Sequence, residues 1–181
     1  MSCQLPITTH SSAVCAVVAL GSNLAHGGYS PAQLIGEAAS RLQSLSRCTL
    51  HLSNIHSTAA VGLGEEAPAF CNAVAIIEPD LGLSAQELLD KLLAIELDLG
   101  RARRRPAAGA SYASRTIDLD LIFCRDEIID SPTLKLPHPR AAERAFVLEP
   151  LAELWPDLVL PGQSFTVCEL LTKLTLLGQD L

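Results

Sequence analysis

The chain is predicted to be an α+β protein with a ferredoxin-like βαββαβ sheet and a C-terminal helical extension. Three observations predict this. Apolar runs and helical patterns alternate in the order strand, helix, strand, strand, helix, strand. The second helix is bracketed by a capping box and a glycine stop. The last strand alternates apolar residues with two aspartates. A doubly wound α/β sheet is the alternative with similar content.

Val14–Leu20 is a continuous Val-rich run closed by Gly21, which suits a central strand covered on both sides. Ser30 and Pro31 fit the N-cap and first position of a helix carrying Leu34, Ile35, Ala38, Ala39 and Leu42, extending to about Leu45. Thr49–His56 reads as a ragged strand, Thr58–Pro68 as a Gly-containing loop and Phe70–Glu78 as another strand. Ser84 and Glu87 open the second helix. Leu88, Leu89, Leu92, Leu93, Ile95 and Leu99 supply its stripe, and Gly100 ends it. Glu96 shares the side of Leu92 and Leu93, either at the stripe edge or facing a polar site. Residues 101–111 hold Arg101, Arg103, Arg104 and Arg105 without apolar periodicity, the pattern of a mobile basic loop. Strand 116–124 follows, with Ile117, Leu119, Leu121 and Phe123 on one predicted buried face. A short hairpin over 127–136 comes next. A final helix spans Phe165–Leu177, with Ser164 near its start.

The 181 residues suit a single domain over 13–181, with 1–12 a frayed tail. Hydrophobic residues make up 49%, enough for a core, and a net charge of −7 argues against broad nucleic-acid binding. The six cysteines form no Cys-x-x-Cys pair, and Cys15, Cys71 and Cys124 sit in apolar runs. They read as reduced, in a cytoplasmic protein. The run from Ala13 to Leu20 is short of the roughly 20 residues a membrane helix needs. The chain contains no P-loop, no Gly-x-Ser-x-Gly and no His-Glu-x-x-His.

Asp118 and Asp120 are the sharpest chemical signal. Asp is depleted in strands, and two residues along a strand are about 6.5 Å apart on one face. Such carboxylates repel unless water screens them or a cation sits between them. A lone Asp-x-Asp is more often the wet face of an edge strand. Here the nearby cations Arg101, Arg103, Arg115, His138 and Arg144 favour Mg²⁺ with phosphates.

Five blocks then carry a resemblance. They are Ala19–Leu24 (ALGSNL), Phe70–Val74 (FCNAV), Ile95–Arg101 (IELDLGR), Ser114–Leu121 (SRTIDLDL) and Leu136–Arg140 (LPHPR) with Glu143–Leu151 (ERAFVLEPL). In order and spacing the chain resembles the 6-hydroxymethyl-7,8-dihydropterin pyrophosphokinases of folate biosynthesis, over residues 14–175. The resemblance implies transfer of pyrophosphate from ATP to the pterin, by a monomer acting on two small molecules without nucleic acid or membrane. It implies Asp118 and Asp120 as ligands of two Mg²⁺ ions. Arg101, Arg103 and Arg115 match the catalytic-loop cations. Glu96, Tyr112, Lys135, His138 and Arg144 match positions at the nucleotide, Tyr112 only as the nearest aromatic to a family Trp. Phe70 and Phe146 match the aromatic pair that sandwiches the pterin, Asn72 its amide-edge partner, and Thr58 and Val61 its loop contacts.

The chain departs from the family pattern at Ala59 and Ala60, where many members have prolines. Leu93 stands in place of a frequent Gln, and Pro139 in place of an aromatic. The basic loop is about four residues longer than in short members. Two other readings compete. A different Mg²⁺-dependent phosphotransferase would keep the aspartates but need no pterin clamp. An inert binding module would need no intact Asp and Arg set.

Overall fold

The computed structural model describes residue 13 and residues 15–59, 68–101 and 114–178. The expected tail at 1–12, Val61, Arg103 and Tyr112 lie outside the described residues. The elements in chain order are β1 (Ala16–Ser22), α1 (Pro31–Gln43), β2 (His51–Leu52), β3 (His56–Thr58), β4 (Phe70–Ile77), α2 (Ala85–Asp98), β5 (Asp118–Cys124), β6 (Ile129–Asp130), β7 (Lys135–Leu136), α3 (Ala145–Leu154) and α4 (Val167–Leu176). A 3₁₀ turn at Ala141–Glu143 leads into α3.

The main sheet is antiparallel. Its order is β2 and β3 beside β4, then β1, then β5. With β2 and β3 counted as one interrupted strand, this is the ferredoxin-like arrangement. The ragged segment expected at 49–56 is split, because Ser53–Ile55 leave the ladder and the Ser53 side chain takes over. Its hydroxyl accepts from Val74 N–H, while Ser53 N–H donates to Val74 carbonyl.

Helices α1, α2 and α4 form where their cap chemistry says they should, whereas α3 begins after Arg144 with no side-chain cap. Ser30 with Gln33, Ser84 with Glu87 and Thr166 with Glu169 all make reciprocal capping boxes. The last corrects an expectation: the final helix begins at Val167, capped by Thr166, and not at Phe165 with Ser164 near its start, since Thr166 has the Glu three residues later. β1 also runs two residues past Leu20. Gly21 does not end it, because ladders on both sides, to Asn72 and to Asp118, hold the backbone extended.

Two cores sandwich the sheet. Alternate residues Ala16, Val18 and Leu20 of β1 and Ala73, Ala75 and Ile77 of β4 pack under α1 and α2. Val17, Val74 and Ile76 point the other way, under α3 and α4. β5 switches sides midway. The register against β1 slips between Val17 and Val18, so Val18 opposes Leu121 while Val17 opposes Phe123, and Ile122 is the extra residue. Leu119 and Leu121 therefore face α1 and α2, whereas Phe123 lies in the opposite core. The single buried face expected from alternation fails at Phe123, since one inserted residue inverts every side chain after it. Among the described residues, no helix is long and apolar enough to cross a membrane.

Candidate active site

The face of the sheet toward α3 carries one row of cross-strand neighbours: His56, Asn72, Gly21 and Asp118. The next row places Val74, Ala19 and Asp120 side by side. Gly21 and Ala19 keep the floor low between the larger side chains. A cavity of about 490 Å³ opens above it, walled by Phe70 and Thr58 at one end and by Arg101, Arg115 and His138 at the other. Arg144, just before α3, and Phe146 in its first turn also line it.

The terminus of α2 delivers Arg101. Gly100 has φ +85°, and Arg101 N–H donates to Glu96 carbonyl at 2.9 Å while Gly100 N–H donates to Leu97 carbonyl at 3.0 Å. This six-to-one and five-to-two closure turns the chain back over the last turn. Arg101 thereby meets the carboxylates of both Glu96 and Asp118. Arg115 holds the other oxygen of Asp118. Arg144 reaches Asp120 at 3.2 Å, and its guanidinium lies 5.5 Å from the centre of the Phe146 ring.

Glu96 is 3% exposed. Its Oε1 accepts from Leu119 N–H at 2.7 Å, the peptide between the two aspartates. Its place on the apolar stripe is thus explained as a brace under β5, not as a helix-edge charge. Burial pushes its carboxyl up to about 7, against the pull of the Leu119 N–H and Arg101. Asp118 is also raised, first by burial and then by the neighbouring charge of Asp120, although Arg115 and Arg101 oppose this. Burial lowers His138, helped by Arg144 and Arg140, while Asp120 opposes the shift.

Asn23 explains the Gly-Ser-Asn-Leu motif that follows β1. It is 2% exposed. Its side chain donates to Pro68 carbonyl at 3.2 Å and Ser114 Oγ at 3.1 Å, and accepts from Arg115 N–H at 2.8 Å. One buried amide therefore ties the end of the loop before β4 to the segment that carries Arg115. Asn72 donates to Thr58 Oγ1 at 2.7 Å, which orients its amide across the cavity floor.

The structure brings Thr58, Phe70, Asn72, Arg101, Arg115, Asp118, Asp120, His138, Arg144 and Phe146 to this one cavity. Glu96 lies directly behind it. Lys135 is elsewhere. It is exposed, pairs with Asp130 at 2.5 Å and lines a second cavity of about 230 Å³ with Leu89, Leu121, Thr133 and Leu134. Asp120 and His138 border both cavities. Sequence reasoning missed this smaller pocket, because the 127–136 hairpin meets α2 and β5 only through the fold. It also missed Arg140, Glu143 and Glu149, which line the larger one.

Asp118 and Asp120 suit a hard cation, being oxygen donors on one face whose mutual repulsion already shows in Asp118. Among the described residues, no group of three or more His, Cys, Asp or Glu could hold a metal. Two carboxylates leave the other positions to phosphate and water, the usual way Mg²⁺ is held at nucleotide sites.

Comparison with known proteins identifies the family. Residues 17–156 match the family described as 7,8-dihydro-6-hydroxymethylpterin-pyrophosphokinase. The chain is 40% identical over 145 residues to a 2-amino-4-hydroxy-6-hydroxymethyldihydropteridine pyrophosphokinase of Pseudomonas aeruginosa, covering 80% of this chain and 82% of that one. It is 37% identical over 152 residues to the Haemophilus influenzae enzyme of the same name, covering 83% and 88%. A crystal structure of wild-type Plasmodium falciparum HPPK-DHPS shares the fold at a TM-score of 0.66 and 14% identity, over 88% of this chain and 44% of that one. The chain belongs to the hydroxymethyldihydropterin pyrophosphokinase family, and transfers pyrophosphate from ATP to hydroxymethyldihydropterin in folate biosynthesis.

Proposed function

We propose that the larger cavity holds the pterin between Phe70 and Phe146, with Asn72 and Thr58 at its amide edge. The nucleotide then spans from the smaller cavity, where Leu89, Leu121 and Leu134 suit a flat base, toward Asp120 and His138. The observation that carries this reading is the row Asn72, Gly21, Asp118. A donor–acceptor amide for the pterin and a cation-binding carboxylate stand one strand apart on either side of a side-chain-free floor.

Two Mg²⁺ ions, held by Asp118 and Asp120, would neutralise triphosphate charge. The rest is positioning. Arg101, Arg115 and Arg144, which pair with the aspartates, face the phosphates when ATP is bound. The pterin hydroxymethyl oxygen forms a bond to the β-phosphorus. The bond from that phosphorus to the oxygen bridging the α-phosphate breaks, AMP leaves with the electron pair, and the hydroxyl proton passes to water. Glu96 stands behind the site, its Oε1 taken by Leu119 N–H and Arg101, and acts there as a brace. Burial disfavours the charged form of His138, which stands beside Asp120 where the phosphates would lie. Cytoplasmic action fits Cys48, Cys71, Cys124 and Cys168 being thiols outside any disulfide.

The test is AMP release from ATP and Mg²⁺, with and without 6-hydroxymethyl-7,8-dihydropterin. Pterin-dependent AMP without ADP is expected. Formation of ADP or pyrophosphate would overturn the reaction, and pterin binding without nucleotide turnover would mean an inert module.

A further inference from the structure

The row of site residues continues beyond Asn72. His56 stands opposite Asn72 on β3, so His56, Asn72, Gly21 and Asp118 together span about 14 Å of the sheet at the usual strand spacing. Two carboxylates of α3 lean on its far end. His56 Nε2 donates to Glu153 Oε1 at 2.6 Å, and His56 Nδ1 lies 3.6 Å from Glu149 Oε2. Glu153 is fixed further by Asn54, whose backbone N–H and side-chain amide both donate to its Oε2, at 2.9 and 3.2 Å. Glu149 is held otherwise. It lines the large cavity, and among the described residues its charged group has the one contact to His56 and no hydrogen-bond donor. A half-buried carboxylate open to a cavity is an acceptor short of donors.

Its place along α3 matters as much. Glu149 is three residues after Phe146, hence on the same face one turn on. A flat ring stacked on Phe146, with its reactive arm toward Asp118 and its amide edge on Asn72, turns its remaining edge toward Glu149. In a pterin that edge carries the 2-amino group, a double donor.

We propose that Glu149, which stands beside His56 at the end of this row, is a specificity-determining residue that accepts a hydrogen bond from the 2-amino group of the pterin. The inference rests on the reading of this cavity as the pterin site. A 2-oxo ring of the same shape would set lone pairs against the carboxylate, and a site built to accept from a donor rejects an analogue lacking it.

The test compares 6-hydroxymethyl-7,8-dihydropterin with its 2-oxo analogue in the AMP-release assay, for the intact enzyme, Glu149→Gln and Glu149→Ala. Urea unfolding of each protein confirms the fold. The intact enzyme should prefer the 2-amino substrate by roughly a hundredfold or more in kcat/KM. Glu149→Gln, which can donate to a 2-oxo group, should cut that preference at least tenfold. It should raise KM for the pterin by about tenfold and move KM for ATP less than twofold. Glu149→Ala should lose preference by slowing the 2-amino substrate and by relieving the repulsion of the 2-oxo one. An unchanged preference in both variants, or equal losses for pterin and ATP, would overturn the assignment. Absence of pterin-dependent AMP from the intact enzyme would instead overturn the reading beneath it, and the first arm of the experiment reveals this.

Discussion

Gly21→Ala should separate the site from the scaffold. Gly21 lies mid-sheet, between Asn72 and Asp118, and its backbone is outside the left-handed region, so alanine fits its conformation. A methyl group there would sit 3.3 Å from Asn72 Oδ1 and 3.9 Å from the Asp118 β-carbon. The second distance is ordinary contact. The first requires the Asn72 amide to yield by a few tenths of an ångström, against its hydrogen bond to Thr58. The folded state should change little, because the smaller unfolded-state entropy of alanine offsets the crowding by about 0.4–1 kcal/mol. Binding should suffer more. A hydrogen bond from Asn72 to substrate that is lost or bent costs roughly 0.5–1.5 kcal/mol, or about two- to tenfold in affinity. The assay is AMP release titrated separately in each substrate, with urea unfolding alongside. KM for the pterin should rise by that factor while KM for ATP stays within twofold. An unchanged pterin KM, or a urea midpoint lowered as far as for a core truncation, would refute the reasoning.

Other perturbations have equally definite outcomes. Asp118→Asn should reduce kcat by about a hundred- to a thousandfold, by analogy with loss of one preorganised charge-stabilising group, yet keep a cooperative unfolding transition, since Arg101 retains Glu96. Chelation of divalent cations should abolish AMP release, and added Mg²⁺ should restore it; full turnover in excess chelator would remove the cation from the reaction. Asn23→Ala strands buried groups on Pro68, Ser114 and Arg115, and should cost about 2–4 kcal/mol by denaturant unfolding at roughly 1 kcal/mol for each hydrogen bond. Gly100→Ala should cost at least about 1–2 kcal/mol for a left-handed alanine, and more because the new methyl would collide with the His26 ring. Its activity should fall as well, since Arg101 follows directly.

Local rules made much of this protein legible. The three capping boxes are short-range hydrogen-bond patterns, though the one at Thr166 is seen only when the Glu three residues on is noticed. Gly100 as a stop follows from backbone sterics. The Asp-x-Asp alternation put both carboxylates on one face because strand geometry has a period of two. That same period misled at Phe123, where a bulge depends on how β5 registers against β1.

Glu96 shows the limit most clearly. Its helical phase was readable, but its role was open until β5 supplied the Leu119 N–H. Nothing local marks Asn23 as a tie between segments 45 and 91 residues away. The sequence by itself determined helices α1, α2 and α4 and the shared face of Asp118 and Asp120, since these depend on neighbours a few residues apart. Only the tertiary structure decided the side-chain-free floor at Gly21, the second cavity behind the 127–136 hairpin and the open carboxylate of Glu149. Each of these is made by residues from different elements, whose meeting is set by packing across the sheet rather than by any local pattern.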